Sequence, residues 1–119
     1  MASHNDLGVK GENLAVEYLL NEGYTILERN WRYQRAEIDV LARKNDVLAI
    51  VEVKTRSSNA FVAPEDAVNK KKIKLLVMAA DAFITQNDLD VEARFDIISV
   101  YKNGEKYKIH HKIDAFFVF

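Results

Sequence analysis

The feature that most constrains this chain is a pair of apolar runs set four residues apart. They are Ala36-Glu37-Ile38-Asp39-Val40-Leu41-Ala42 and Val47-Leu48-Ala49-Ile50-Val51-Glu52-Val53-Lys54. Both are rich in Val, Ile and Leu, and the polar Arg43-Lys44-Asn45-Asp46 between them has the composition of a hairpin turn. The second run is apolar on both parities: Val47, Ala49, Val51 and Val53 on one face, Leu48 and Ile50 on the other. Such a strand belongs inside a sheet that is covered on both sides. Yet it closes on Glu52 and Lys54, which share a face because side chains alternate with period two. Charges on a buried strand are costly unless paired, hydrogen-bonded or bound to metal. In the first run Glu37, Asp39 and Leu41 share a face by the same alternation, and hairpin pairing brings Asp39 toward Glu52 and Lys54.

That convergence has a definite chemistry. Two carboxylates in proximity raise one pKa unless a cation lies between them. Mg²⁺ takes oxygen ligands and keeps several waters, so Asp39, Glu52 and the backbone carbonyl of Val53 form a ligand set for Mg²⁺ or Mn²⁺. Lys54, beside those ligands, is suited to orient or deprotonate a water, or to neutralise charge on a phosphate. Two plainer readings stand beside this one: an exposed hairpin with solvated charges, and a structural salt bridge of Lys54 with Glu52 or Asp39.

The flanking sequence supplies the remaining layers. Asp6 is placed to cap a first helix that runs to about Glu22, with Gly23 ending it in a left-handed conformation. Leu14, Ala15, Tyr18 and Leu19 form its apolar stripe, and Glu12 points with that stripe, suited to hold an outer-shell water or a second ion. Residues 24–31 read as a strand. Residues 55–63 read as a surface loop, and Pro64, the only proline, suits the first turn of a helix that runs to about Thr85. On that helix Val68, Leu75, Leu76, Ala79 and Phe83 lie at core spacing. Lys72 falls on the same inward stripe, either reaching a phosphate or snorkelling, while Lys70, Lys71 and Lys74 point elsewhere. Residues 93–101 and 105–111 read as strands joined by the Asn103-Gly104 turn. The order is helix, three strands, helix, then strands: one α/β domain over residues 1–119, a three-layer core with a mixed sheet flanked by helices.

Composition narrows the functional classes. The absence of Cys excludes disulfides and thiolate zinc sites. The first six residues lack the apolar core of a secretory signal and no run is long enough to span a bilayer, so a cytoplasmic protein without a membrane partner is expected. A net charge of −1 gives no global attraction for nucleic acid. Binding must come from a local patch, for which Arg29, Arg32, Arg35, Arg43, Arg56 and the lysines between 70 and 74 are available. Trp31 and Tyr33 could stack on unpaired bases, or serve as core aromatics. None of the four glycines lies in a phosphate-cradling run. His110 and His111 face opposite sides of their strand, which leaves each a solvated or capping role. Asp96 reads as a structural hydrogen-bonding group.

Taken together, Gly11-Glu12, Gly23-Tyr24-x-Ile26-Leu27-x-Arg29-Asn30-x-Arg32, Glu37-Ile38-Asp39, Val51-Glu52-Val53-Lys54-x-Arg56, Pro64-Glu65-x-Ala67-Val68-x-x-x-Lys72 and Arg94-Phe95-Asp96-Ile97-Ile98 follow one another in an order that resembles the YraN-like family of uncharacterised bacterial proteins. That family is similar in turn to the PD-(D/E)xK nuclease superfamily and its Holliday-junction resolvases. The likeness covers residues 8–99. It implies a restriction-endonuclease-like core in which Asp39, Glu52 and Lys54 carry the motif and Glu12 is the helix-borne acid. It also sets Lys72 in the place of a polar residue on the following helix; Lys72 and Arg56 are the expected contacts to substrate phosphate. Ala36 stands where the family commonly has Gly, a departure that touches the local turn and leaves the ligands intact. The expected activity is metal-dependent hydrolysis of phosphodiester bonds in DNA, structured or branched DNA included; the alternative is a silent nuclease-fold module that binds nucleic acid or a protein. The apolar residues 113–119 are expected to add an edge strand or to join a second copy in a homodimer.

Overall fold

The structure, a computed structural model, describes residues 4–57 and 69–115, with side chains from residue 6. Seven elements follow one another: α1 (His4–Asn21), β1 (Thr25–Tyr33), β2 (Ala36–Lys44), β3 (Val47–Ser57), α2 (Lys70–Gln86), β4 (Glu92–Asn103) and β5 (Lys106–Lys112). The strands form a single sheet in the order β1-β2-β3-β4-β5. β1, β2 and β3 are an antiparallel meander, and α2 crosses over so that β4 runs parallel to β3 before β5 returns as a hairpin. The sheet is therefore mixed, with a helix on each face, as the doubly apolar β3 requires.

Each face has its own core. On the α2 side, Ile38, Leu41, Leu48, Ile50, Phe95 and Ile97 pack against Leu76, Ala79, Ala80 and Phe83. On the α1 side, Val40, Ala42, Ala49, Val51, Ile98 and Val100 pack against Ala15 and Leu19. The two parities of β3 separate between these cores as the sequence predicts. β2 does not keep its alternation: Ile38 and Leu41, three residues apart, line the same core while Val40 lines the other. Asp39 sits at this break, so Glu37, Asp39 and Leu41 do not form the simple row expected of a regular strand. The adjoining β1 is irregular too, with a register shift between Ile26 and Glu28 and with Asn30 at φ 51°, a left-handed value that Asn tolerates better than most residues.

Local chemistry explains most boundaries. Gly23, at φ 93°, ends α1: its N–H donates to Leu20 O at 3.1 Å and the N–H of Tyr24 donates to Leu19 O at 3.0 Å. That is a Schellman motif, completed by Tyr24 and Leu19 meeting in one core. Three expectations are corrected. Helix α1 begins at His4, so Asp6 lies within its first turn and is not the cap. Helix α2 begins at Lys70, because Asn69 is extended (φ −92°, ψ 172°) and accepts the Lys72 N–H at 2.9 Å as a side-chain cap; the earlier start expected at Pro64, with Val68, lies outside the described residues. Strand β3 continues through Ser57, since parallel pairing with β4 persists to Ser57↔Lys102 and satisfies a backbone that the polar sequence alone marks as loop. Residues 116–119 of the apolar C-terminal segment lie outside the described residues.

Candidate active site

The polar end of β3 faces α2. Glu52 is 5 % exposed, and its Oε1 accepts from Lys72 Nζ at 2.6 Å, with Lys54 Nζ at 3.6 Å. Its other oxygen, Oε2, is buried with no hydrogen-bond partner. An under-satisfied buried carboxylate oxygen is costly and marks either strain or a place for an added group. Lys72 therefore does more than snorkel: α2 delivers its ammonium directly onto the buried acid.

Asp39 arrives from β2, and the break in that strand lets its Oδ2 accept the backbone N–H of Val53 at 2.8 Å. The carboxyl lies at a seam between two cavities. One, of about 380 Å³ on the α2 side, is lined by Asp39, Glu52, Lys72, Asn69, Lys71 and Arg35 among others. The other, of about 280 Å³ on the α1 side, is lined by Leu7, Gly8, Glu12, Asp39, Val53 and Thr55. Asp39 thus joins Glu52 in one cavity and Glu12 in the other, and the sheet does not separate residues 39 and 52.

Glu12 reaches its cavity because α1 approaches β3 unusually closely. A Cβ on Gly11 would lie 1.9 Å from Thr55 Oγ1, so only glycine allows that approach. Glu12 is oriented by β1: its Oε2 accepts from Arg29 Nη2 at 2.5 Å, Arg29 Nε at 3.1 Å and Asn30 Nδ2 at 3.2 Å. The left-handed Asn30 turns its amide toward this acid.

Electrostatics follow from the geometry. Burial, reinforced by the Glu52 carboxylate, pushes the Asp39 carboxyl up to about 7, against the opposing pull of the Val53 N–H and the Lys72 ammonium. Burial also holds the Lys54 ammonium below its usual range, with Lys72 adding repulsion and Glu52 working against the drop. For Lys72 burial is outweighed by the hydrogen bond and charge of Glu52, and its pKa rises. One lysine is thus committed to the acid as a cation, and the other is eased toward its neutral form.

The residues singled out from sequence fall into place unevenly. Asp39, Glu52, Lys54 and Lys72 converge. Glu12 and Val53 share the adjoining cavity with Asp39. Arg56 lies two residues beyond Lys54 on the same strand, with its Nε buried and without a hydrogen-bond partner. Sequence reading overlooks Ser99, which is fully buried, pairs in register with Lys54 and has an unpartnered Oγ. Only the parallel pairing of β3 with β4 could have found it. The Arg29 and Asn30 hold on Glu12 is also new. Among the described residues no group of three or more Asp, Glu, His or Cys side chains is drawn together as a ready-made metal cage. An ion here would rest on Asp39 and Glu52 with backbone oxygen and water, a set that suits Mg²⁺ or Mn²⁺ and no softer metal.

A solvated or capping role for His111 is overturned. Its side chain is 6 % exposed, with Nε2 2.8 Å from Asp96 Oδ2 and Nδ1 3.0 Å from the Tyr18 hydroxyl. His110 is exposed.

Comparison with known proteins places the chain's sequence in a family. The model of Uncharacterised protein family UPF0102 matches residues 11–100. A UPF0102 protein of Flavobacterium psychrophilum is 56% identical over 119 residues, covering 100% of both chains. One of Flavobacterium johnsoniae is 52% identical over 123 residues, again 100% of both. One of Bacteroides thetaiotaomicron is 50% identical over 117 residues, 98% of this chain and 97% of its own.

Proposed function

The chain belongs to the UPF0102 family, and we propose, from the site itself, that it is a divalent-metal-dependent nuclease of the PD-(D/E)xK type, hydrolysing phosphodiester bonds in DNA. The observation that carries this reading is the unsatisfied Oε2 of buried Glu52, in a cavity shared with an Asp39 whose carboxyl is pushed up to about 7. A divalent cation would relieve both, by giving Oε2 a partner and by offsetting the burial and the Glu52 repulsion that raise Asp39. Asp39 and Glu52 would hold the ion, which supplies Lewis-acid stabilisation of phosphate charge.

The chain's own groups divide the remaining work. Lys72 fixes Glu52 through Oε1, leaving Oε2 as the open donor. The Val53 N–H fixes Asp39 through Oδ2. Hydrolysis forms a bond from water oxygen to phosphorus as a P–O ester bond breaks, and the proton lost by the water needs an acceptor. Lys54 Nζ, with its basicity lowered by burial, is placed to take that proton or to neutralise the phosphate as charge builds. Arg56 and the cavity's Lys71 and Arg35 offer cationic contacts to flanking phosphates.

One observation favours a second reading. Lys72 already neutralises Glu52, and Arg29 already neutralises Glu12, so the acids have protein cations as partners. On that reading the module binds nucleic acid or protein without cleaving. Thermal melts and a cleavage panel decide between them. Millimolar Mg²⁺ or Mn²⁺ raises the melting temperature of the wild type and not of Asp39→Ala. With Mn²⁺, wild type cleaves at least one of single-stranded, duplex, flapped or four-way DNA, and Asp39→Ala is slower by more than about 100-fold. A wild type without metal response or cleavage transfers the assignment to the binding module. Activity unchanged in Glu52→Ala or Lys54→Ala would place the chemistry elsewhere.

A further inference from the structure

The edge strand β1 carries a second feature on the α2 face. Trp31 and Tyr33 lie two residues apart with ring planes only 7° from parallel and centroids 6.0 Å apart. Trp31 is anchored from behind by Phe83 of α2, edge to face at 5.1 Å. Both aromatics pack against the α2-side core while remaining only partly buried. Their register partners across β2 are Ile38 and Ala36, and Ala36 itself lines the cavity that holds Asp39 and Glu52. Phe83, Trp31, Tyr33 and the cavity therefore follow one another along one face. Arg35, just past the turn from Tyr33, lines the same cavity as Lys71 and Lys72, so cationic groups meet the aromatic row where it ends.

We propose that Trp31 and Tyr33 form a stacking platform for unpaired bases of single-stranded DNA, whose phosphates are led by Arg35 and Lys71 into the Asp39–Glu52 cavity. The inference deepens the nuclease reading, and rests on it for the role of the cavity, by naming an unpaired segment as the substrate's recognised part. The physical warrant is the combination. An aromatic π-face takes any base, whereas a stacked duplex keeps its base faces occupied and cannot offer one without unstacking. Cations alone would bind duplex and single strand alike through phosphate. An edge strand, unlike an interior one, leaves its rings accessible from the side.

The chain contains a single tryptophan, so Trp31 emission reports directly on the platform. The full chain is titrated in chelator, which prevents cleavage, with a single-stranded oligothymidine, a duplex of equal length and an oligouridine. Binding is read in parallel by anisotropy of a labelled strand. The expected result is saturable quenching by oligothymidine, at an affinity about tenfold or more above that for the duplex. Tyr33→Ala weakens single-strand binding by about tenfold and leaves duplex binding within about twofold. Tyr33→Leu, which keeps apolar bulk against the core, gives the same loss, so that a folding defect is not mistaken for a binding one. Equal affinity for duplex and single strand, unchanged Trp31 emission on binding, or full affinity in Tyr33→Leu overturns the platform. Tighter binding of oligouridine overturns the assignment to DNA. Because cleavage plays no part in this readout, a platform that binds in a protein that never cleaves would sink only the nuclease reading. Cleavage without selective single-strand binding would sink only the platform.

Discussion

Two buried carboxylates lie on adjacent strands yet on opposite faces of the sheet, and their surroundings differ in kind. Asp96 on β4 pairs in register with Val51, the neighbour of Glu52. It is fully buried and accepts from Arg94 through both oxygens, from the Asp114 N–H at 3.0 Å, and meets His111 at 2.8 Å. Arg94 also donates to the Tyr24 hydroxyl at 2.6 Å, which ties the start of β1 into the same network. Burial alone would raise the Asp96 pKa, but these donors outweigh it and hold the carboxyl below its ordinary range. Asp39 has one backbone donor and a like charge nearby, and is pushed up to about 7. Glu52 keeps one oxygen without a partner. A carboxylate saturated by its own fold has no capacity left for a ligand, whereas an under-supplied one does. The first stabilises the protein; the second is where chemistry is to be sought.

Three outcomes break or sharpen that contrast, beginning with the largest. Asp96→Ala strips a partly buried, always-charged Arg94 of its carboxylate and removes the acceptor of the Asp114 N–H, and unfolding in denaturant registers a loss of about 3–4 kcal/mol. The rise in melting temperature with Mn²⁺ stays as large as in wild type. Loss of that metal response in a still-folded Asp96→Ala protein would show that the two centres are one.

The pH dependence of stability comes next, and the two acids pull it in opposite directions. Asp39 binds its proton more tightly folded than unfolded, so its contribution is fully present below about pH 4 and is lost as pH rises through about 7. Asp96, with a lowered folded value, contributes above the unfolded carboxylate range and loses that contribution as pH falls through its folded pKa. Asp39→Asn removes the first slope, making the stability difference between pH 4 and pH 7.5 smaller by on the order of 2–4 kcal/mol. Urea melts across that range check it; an unaltered slope would mean that Asp39 is ionised throughout.

The smallest effect is expected of Lys72→Met. It leaves buried Glu52 with Lys54 alone at 3.6 Å and lowers stability by about 1–3 kcal/mol, since Lys72 is itself partly exposed. Mn²⁺ restores part of that loss, giving a larger melting shift than in wild type. A shift no larger than wild type's would mean that Lys72 and the ion do not compete for Glu52.

Much of this was written in local pattern. The double apolar parity of residues 47–53 demanded a covered central strand, and period-two alternation placed Glu52 and Lys54 together, because both are properties of a strand by itself. Gly23 announced itself through the backbone angle it permits, whereas the expected Asn103-Gly104 turn lies one residue later: Asn103 ends β4 opposite Lys106 and the chain turns at Gly104, φ 63°, and Glu105. The fate of groups whose partners come from distant strands was not legible. His111 looks like an exposed strand residue until Asp96, Tyr18 and Tyr24 close around it across 15 to 93 positions of sequence. Ser99 became a neighbour of Lys54 only through parallel pairing, which no local signal encodes. Asp39 owes its position at the seam between two cavities to a break in the alternation of β2 that its composition does not reveal. Sequence alone thus determined that β3 is covered on both faces and that charges sit at its end, since both follow from periodicity. Tertiary structure decided which of those charges are satisfied, because a hydrogen bond needs a partner within about 3 Å and the fold alone brings one there.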